Sequence, residues 1–219
     1  MFTDREDAGR QLATELQPLE LRDPLVLAIP RGGVVVGAVL ARELRADLDV
    51  VLARKLRAPD QPELAIGAIG EDGEIYLNRR AQLADLAEQS HIEQERKHQL
   101  EEIARRQTLF RAVRSKAPAH GRTVILTDDG IATGSTMIAA LHVVKTHRPH
   151  EVIVAVPVAP PHRLQAIGVL CDRLICLLSP RNFYAVGQFY HSFDSVEDEQ
   201  VVRLLQEFAP ITQPAQTPQ

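Results

Sequence analysis

The chain has 219 residues, 45% hydrophobic and 25% charged, enough to bury the core of one generous globular domain. A formal net charge of −4 argues against a nucleic-acid or acidic-membrane partner. No run approaches the ~20 apolar residues of a spanning helix. The opening Met1-Phe2-Thr3-Asp4-Arg5-Glu6-Asp7 has no apolar signal core, so the expectation is a cytoplasmic protein.

From Asp4 to Leu19, Ala8, Leu12, Leu16 and Leu19 recur at helical spacing and predict an amphipathic helix. Leu25–Ile29 is a continuous apolar run closed by Pro30, the pattern of a buried parallel strand. Arg31-Gly32-Gly33 follows, then a helix over Val34–Leu44 and a strand over Leu48–Ala53, together a βαβ unit. Residues 55–63 carry Pro59, Pro62 and several charges and read as an irregular loop. Short strands are expected near Leu64–Ile69 and Glu74–Leu77, hinged by Glu71-Asp72-Gly73. A long polar helix over Ser90–Val113, with Ser90 and Glu93 at capping-box spacing, has sparse apolar positions and should present a wet charged face.

The alternation then resumes, with strands over Thr123–Thr127, Val152–Val158 and Leu174–Leu178 and helices over Ser135–Thr146 and Pro161–Leu170. Repeated β–α alternation with apolar strands predicts a doubly wound, mostly parallel α/β sheet whose ligand sits beyond the strands' carboxyl ends. Cys171 and Cys176 match neither a disulfide framework nor a zinc site and are read as buried free thiols. Residues 210–219, rich in Pro, Gln and Thr, read as a disordered tail.

The most informative stretch is Val124-Ile125-Leu126-Thr127-Asp128-Asp129-Gly130-Ile131-Ala132-Thr133-Gly134-Ser135-Thr136. An apolar strand ends in two carboxylates, and a turn of Thr, Gly, Ser and Thr leads into a helix. Backbone N–H groups at that helix start, three hydroxyls and the positive end of the helix dipole make an anion site of phosphate size. The carboxylates are acceptors placed for a vicinal diol. A phosphate cradle beside a diol reader describes ribose 5-phosphate. The bland alternative is an acidic strand end that caps a helix.

This string resembles the signature of the type I phosphoribosyltransferases. The resemblance implies that Asp128 and Asp129 hold the ribose hydroxyls and that Ala132, Thr133, Gly134, Ser135 and Thr136 wrap the 5-phosphate of phosphoribosyl pyrophosphate. Pro30-Arg31-Gly32-Gly33 resembles the family's pyrophosphate loop, in which a non-proline cis peptide is frequent. Arg54-Lys55 and the proline-rich loop behind them resemble the mobile flap. The implied organisation is one domain over residues 1–209, with a flap and long-helix insertion at 55–121 and a small C-terminal hood at 179–209. The Arg-Lys-Leu, Pro-Glu-Leu-Ala-Ile-Gly-Ala and Phe-Tyr-Ala-Val-Gly segments resemble an uncharacterised bacterial branch of the family.

Displacing pyrophosphate leaves an oxocarbenium-like centre and a highly charged leaving group, so Mg2+ is expected, with Asp128 and Asp129 as its candidate ligands. Arg31 and Lys55 are the candidate catalytic cations, and the N–H groups of Gly32 and Gly33 would cradle pyrophosphate beside them. Ala132 stands where the 6-oxopurine enzymes have an aspartate, and the Asp-Asp-x-x-Ala-Thr-Gly form looks like the adenine enzymes. In those a flap glutamate assists the base; Glu63 and Glu71 are both candidates. Phe183 and Tyr184 are the candidate acceptor-stacking rings, with hood packing as the alternative. The expected partners are phosphoribosyl pyrophosphate and a small acceptor such as a nucleobase. A homodimer is left open. The competing reading is a non-catalytic sensor of phosphoribosyl pyrophosphate.

Overall fold

The computed structural model describes residues 1–58, 61–77 and 89–209. Five parallel strands form the central sheet: β1 (Leu25–Ala28), β2 (Asp47–Val50), β6 (Thr123–Thr127), β7 (Glu151–Val158) and β8 (Arg173–Leu178), in the order β2-β1-β6-β7-β8. Chain order reverses between β1 and β6, which makes the crevice beyond their carboxyl ends the switch point of a doubly wound sheet.

Strand residues alternate between two cores. Val26, Ala28, Ile125, Ile153 and Ala155 face one side, where α1 (Arg5–Leu16), α2 (Gly32–Leu44) and the last helix pack. Leu25, Leu27, Val124, Leu126 and Val154 face the other, under α4 (Ser135–Thr146) and α5 (Pro161–Gly168). Covering both faces is why these strands are apolar without interruption. Asp4 caps α1 by accepting the Asp7 N–H at 2.8 Å.

The region read as an irregular loop is a correction. β3 (Ala53–Ala58) and β4 (Gln61–Gly70) pair antiparallel, and β5 (Ile75–Leu77) joins them in a second sheet. Lys55, opposite Ala68, therefore lies in a strand. Leu56 and Ala58 are buried while Arg54, Lys55 and Arg57 are partly exposed. That alternation is what the charges and prolines hid. The side chain of Glu63, with Pro59 and the tail 210–219, lies outside the described residues.

The long helix α3 (Gln89–Arg111) lies against β3, β4 and the last helix, α6 (Asp198–Glu207), which also packs on α2. Its charges are not only a wet face. Gln99, Ile103 and Phe110 are buried, and Arg111 forms a bidentate pair with Glu71 while its Nη1 donates to Asp49 at 2.7 Å. The cysteines also differ from expectation: both are free but only half-buried, and burial pushes the Cys176 thiol up to about 11.

Candidate active site

Strand β6 is buried throughout, and Thr127 settles its hydroxyl by donating to the Ala155 carbonyl at 2.7 Å. The strand delivers Asp128 and Asp129 to the crevice. Opposite them, the first turn of α2 comes so close that a Cβ on Gly32 would stand 1.9 Å from Asp129 Oδ2. One on Gly33 would stand 2.8 Å from Asp128 Cα. Only glycine permits this approach. The Pro30-Arg31 peptide leading into the turn is cis, as the resemblance implied.

Desolvation, reinforced by the neighbouring Asp129 charge, holds the Asp128 carboxyl well above the usual carboxylate range, although its Oδ1 accepts the Asp129 N–H at 2.8 Å. Asp129 is anchored differently. Its Oδ2 accepts from Arg5 Nε at 2.8 Å, and its carbonyl accepts from the Tyr190 hydroxyl at 2.6 Å. Arg5 also donates to the Asp194 carbonyl and lies over the Phe193 ring, 3.9 Å from its centroid. The N-terminus thus joins the segment at residues 189–194, and the backbone links of Phe2 with Phe189 and His191 tie them together.

Gly134, with φ of 81°, makes the left-handed turn into α4; as the N-cap it offers no side chain, and Thr133 Oγ1 accepts the Ser135 N–H at the long distance of 3.5 Å. Ala132, Thr133, Ser135 and Thr136 are exposed around it. A helix start with no side chain at its N-cap, ringed by hydroxyls, can serve as an anion cradle. Arg163, at the start of α5, lays its Cδ 3.8 Å from where a Cβ on Gly134 would be, and its buried Nε has no hydrogen-bond partner among the described residues.

A cavity of about 420 Å³ opens beside this loop, with Pro30, Lys55, Ser135 and Thr136 among its walls. Arg31 is not one of them. Its Nη1 lies 3.5 Å from Glu197 Oε2 at the start of α6. The structure therefore brings Lys55 to the cradle but turns Arg31 toward the C-terminal helix. Phe183 packs on Phe189 with centroids 5.3 Å apart, whereas Tyr184 is 91% exposed. Glu71 is committed to Arg111. Sequence reasoning missed Arg5, Tyr190 and Arg163. No local pattern marks them, since each meets the motif only through tertiary packing.

The family model for the phosphoribosyl transferase domain matches residues 4–194. The chain is 44% identical over 208 residues to the Mycobacterium tuberculosis protein named "Putative phosphoribosyl transferase Rv0571c". That match covers 94% of this chain and 46% of the relative, so the chain spans about half the length of the curated relatives it matches. The crystal structure of TT1426 from Thermus thermophilus superposes with a TM-score of 0.91 at 46% identity, covering 95% of this chain and 99% of that one. With the doubly wound sheet and the Asp128–Thr136 motif at its switch point, these matches identify the chain as a member of the phosphoribosyl transferase domain family.

Proposed function

We propose that the protein is a magnesium-dependent phosphoribosyltransferase that moves ribose 5-phosphate from phosphoribosyl pyrophosphate to a nitrogen acceptor, a nucleobase by preference, and releases pyrophosphate. One observation carries this reading: an acid pair and a hydroxyl-ringed helix start with no side chain at its N-cap stand in one turn of chain, pressed against the glycine start of a second helix.

In this reading the N–H groups and hydroxyls of Thr133, Ser135 and Thr136 bind the 5-phosphate. Asp128 and Asp129 accept hydrogen bonds from the ribose diol and orient the ring. Lys55 and the N–H groups of Gly32 and Gly33 hold the leaving pyrophosphate, and Arg31 joins them by giving up its contact with Glu197. Fixed donors around the departing charge stabilise it without reorganising solvent. The hood, anchored through Tyr190 and Arg5, keeps water from the reacting carbon.

The acid pair suits a divalent cation. Two neighbouring carboxyls, one with its pKa raised by desolvation and by the other's charge, offer hard oxygen donors whose ionised form a divalent cation would favour. Magnesium bound there would neutralise charge on the pyrophosphate. Of the two flap glutamates, Glu71 is engaged by Arg111, so Glu63 is the one to test as the group assisting the base.

The test is a panel of nucleobases and small amines incubated with the protein, phosphoribosyl pyrophosphate and magnesium, read by pyrophosphate release. Release with at least one acceptor is expected. Tight donor binding with no release from any acceptor would replace the transferase by a sensor.

A further inference from the structure

The long helix α3 contributes a face to the cavity beside the cradle, and together with β3 it gives that cavity more cations than acids: Arg54, Lys55, Arg57 and Arg106 against Glu102. Gln99, Ile103 and Arg106 recur at helical spacing along the helix, opposite Arg54, Lys55 and Arg57 of β3. Arg54 is matched by Glu102 across the cavity, with Nη2–Oε2 at 2.9 Å. Arg57 is fixed by its backbone: its N–H donates to Glu95 Oε1 at 3.2 Å and its carbonyl meets His91 Nε2 at 2.8 Å. Its side chain is left unmatched, because Nε is buried and finds no acceptor among the described residues. Arg106, partly exposed, likewise has no ion pair or hydrogen bond among them. A buried guanidinium N–H without an acceptor is costly, so a group that supplies acceptor oxygens is favoured there.

We infer that Arg57 and Arg106 form an anion subsite for the outer phosphate of pyrophosphate, so that α3 is a wall of the donor site. This rests on the donor reading above. The cavity that both arginines line is lined as well by Ser135, Thr136 and Pro30. A donor anchored by its 5-phosphate on the cradle would direct its second charged end along this space. Guanidinium forks match phosphate oxygens in pairs, which suits a terminal phosphate better than a single ammonium does.

The probe is inorganic pyrophosphate with magnesium, titrated calorimetrically into the full chain, with ribose 5-phosphate as the second ligand. Arg106→Ala should weaken pyrophosphate about tenfold or more while ribose 5-phosphate changes by less than about twofold, because only one end of the donor is touched. Arg57→Gln should do the same, with thermal unfolding as the control for its partly buried position. Arg106→Lys should recover part of the loss. Unchanged pyrophosphate affinity in both variants would overturn the inference, as would no binding by the unmodified protein. Equal losses for both ligands would place these arginines at the 5-phosphate and overturn it too. The transferase reading fails separately: pyrophosphate binding sensitive to Arg106 with no transfer to any acceptor leaves the subsite standing and removes the enzyme.

Discussion

The crevice at the switch point and the hairpin–helix insertion beside it place polar groups in opposite ways. In the crevice, one continuous stretch of chain supplies carboxylates, hydroxyls and free N–H groups, and a buried strand aims them. In the insertion, charges distant in sequence find each other: Asp49 of β2, Glu71 of the turn after β4, and Arg111 at the end of α3. Ligand chemistry can therefore be lost from the crevice with the fold intact. The insertion cannot lose its central charge so cheaply.

The largest expected effect comes from breaking that network. Asp49 is 1% exposed and the Glu71 side chain 6%, so Arg111→Met strands two buried acids. Burial opposes the charge of Arg111 as well, yet its bonds to Glu71 and Asp49 outweigh this and raise its pKa. Removing one partner of a buried pair costs about 3–5 kcal/mol. Urea unfolding should show a loss of that order. A change below about 1 kcal/mol would mean that the network is solvated and behaves as a surface pair.

The matching experiment in the crevice is Asp128→Asn with Asp129→Asn. Each charge-assisted hydrogen bond to the ribose diol contributes roughly 1.5–3 kcal/mol, so the pair should cost at least about a hundredfold in affinity for phosphoribosyl pyrophosphate. Cooperative unfolding should be retained. Unchanged affinity by calorimetry would remove the diol assignment. A smaller effect separates the leaving-group cations. Lys55→Ala should lower turnover about tenfold with ribose 5-phosphate binding unaltered. Arg31→Ala should do less, because Arg31 must first leave Glu197. If Arg31→Ala proved the more damaging, the contact with Glu197 would be a resting position that the donor displaces readily.

The two regions were also unequally legible in the sequence. The strand over Thr123–Thr127 and the helix over Ser135–Thr146 fall at their expected boundaries, because uninterrupted apolar runs and a glycine turn leave one reading. In the insertion, β4 and β5 lie where short strands were expected near Leu64–Ile69 and Glu74–Leu77, but β3 was missed. Strand β3 alternates Leu56 and Ala58 with Arg and Lys, and Pro59 and Pro62 follow closely in the sequence, so local signals favoured a loop. The buried contacts of α3 were hidden similarly: Arg111 is a charged residue held inside by Asp49 and Glu71, which lie far along the chain. Arg5 shows the same limit in the crevice, since its bond to Asp129 spans 124 positions.

The smallest effect expected is the most diagnostic of the crevice. Asp128 is half-buried beside another carboxylate, and both burial and that charge raise its pKa. In the unfolded chain it titrates near the ordinary value, about 3.9. Between that value and its folded pKa the folded state retains a proton that the unfolded state has lost. The stability that Asp128 contributes is thus fully present below the unfolded pKa and declines as pH rises through the folded one. Asp128→Asn removes the ionisation and leaves an oxygen able to accept the Asp129 N–H. The variant should therefore match the native protein near pH 4 and become the more stable of the two toward neutrality. The melting temperature of the variant should then exceed that of the native protein by a margin that widens as pH rises. Melting curves taken across this pH range check the sign. A variant less stable at every pH, or one whose advantage shrinks as pH rises, would mean that Asp128 is ionised at no cost before any ligand arrives. The same carboxyl must then lose its proton to hold a cation or the ribose diol. Donor affinity in the native protein should accordingly rise with pH over the window in which Asp128→Asn gains its stability, linking the free-state cost of the residue to its use.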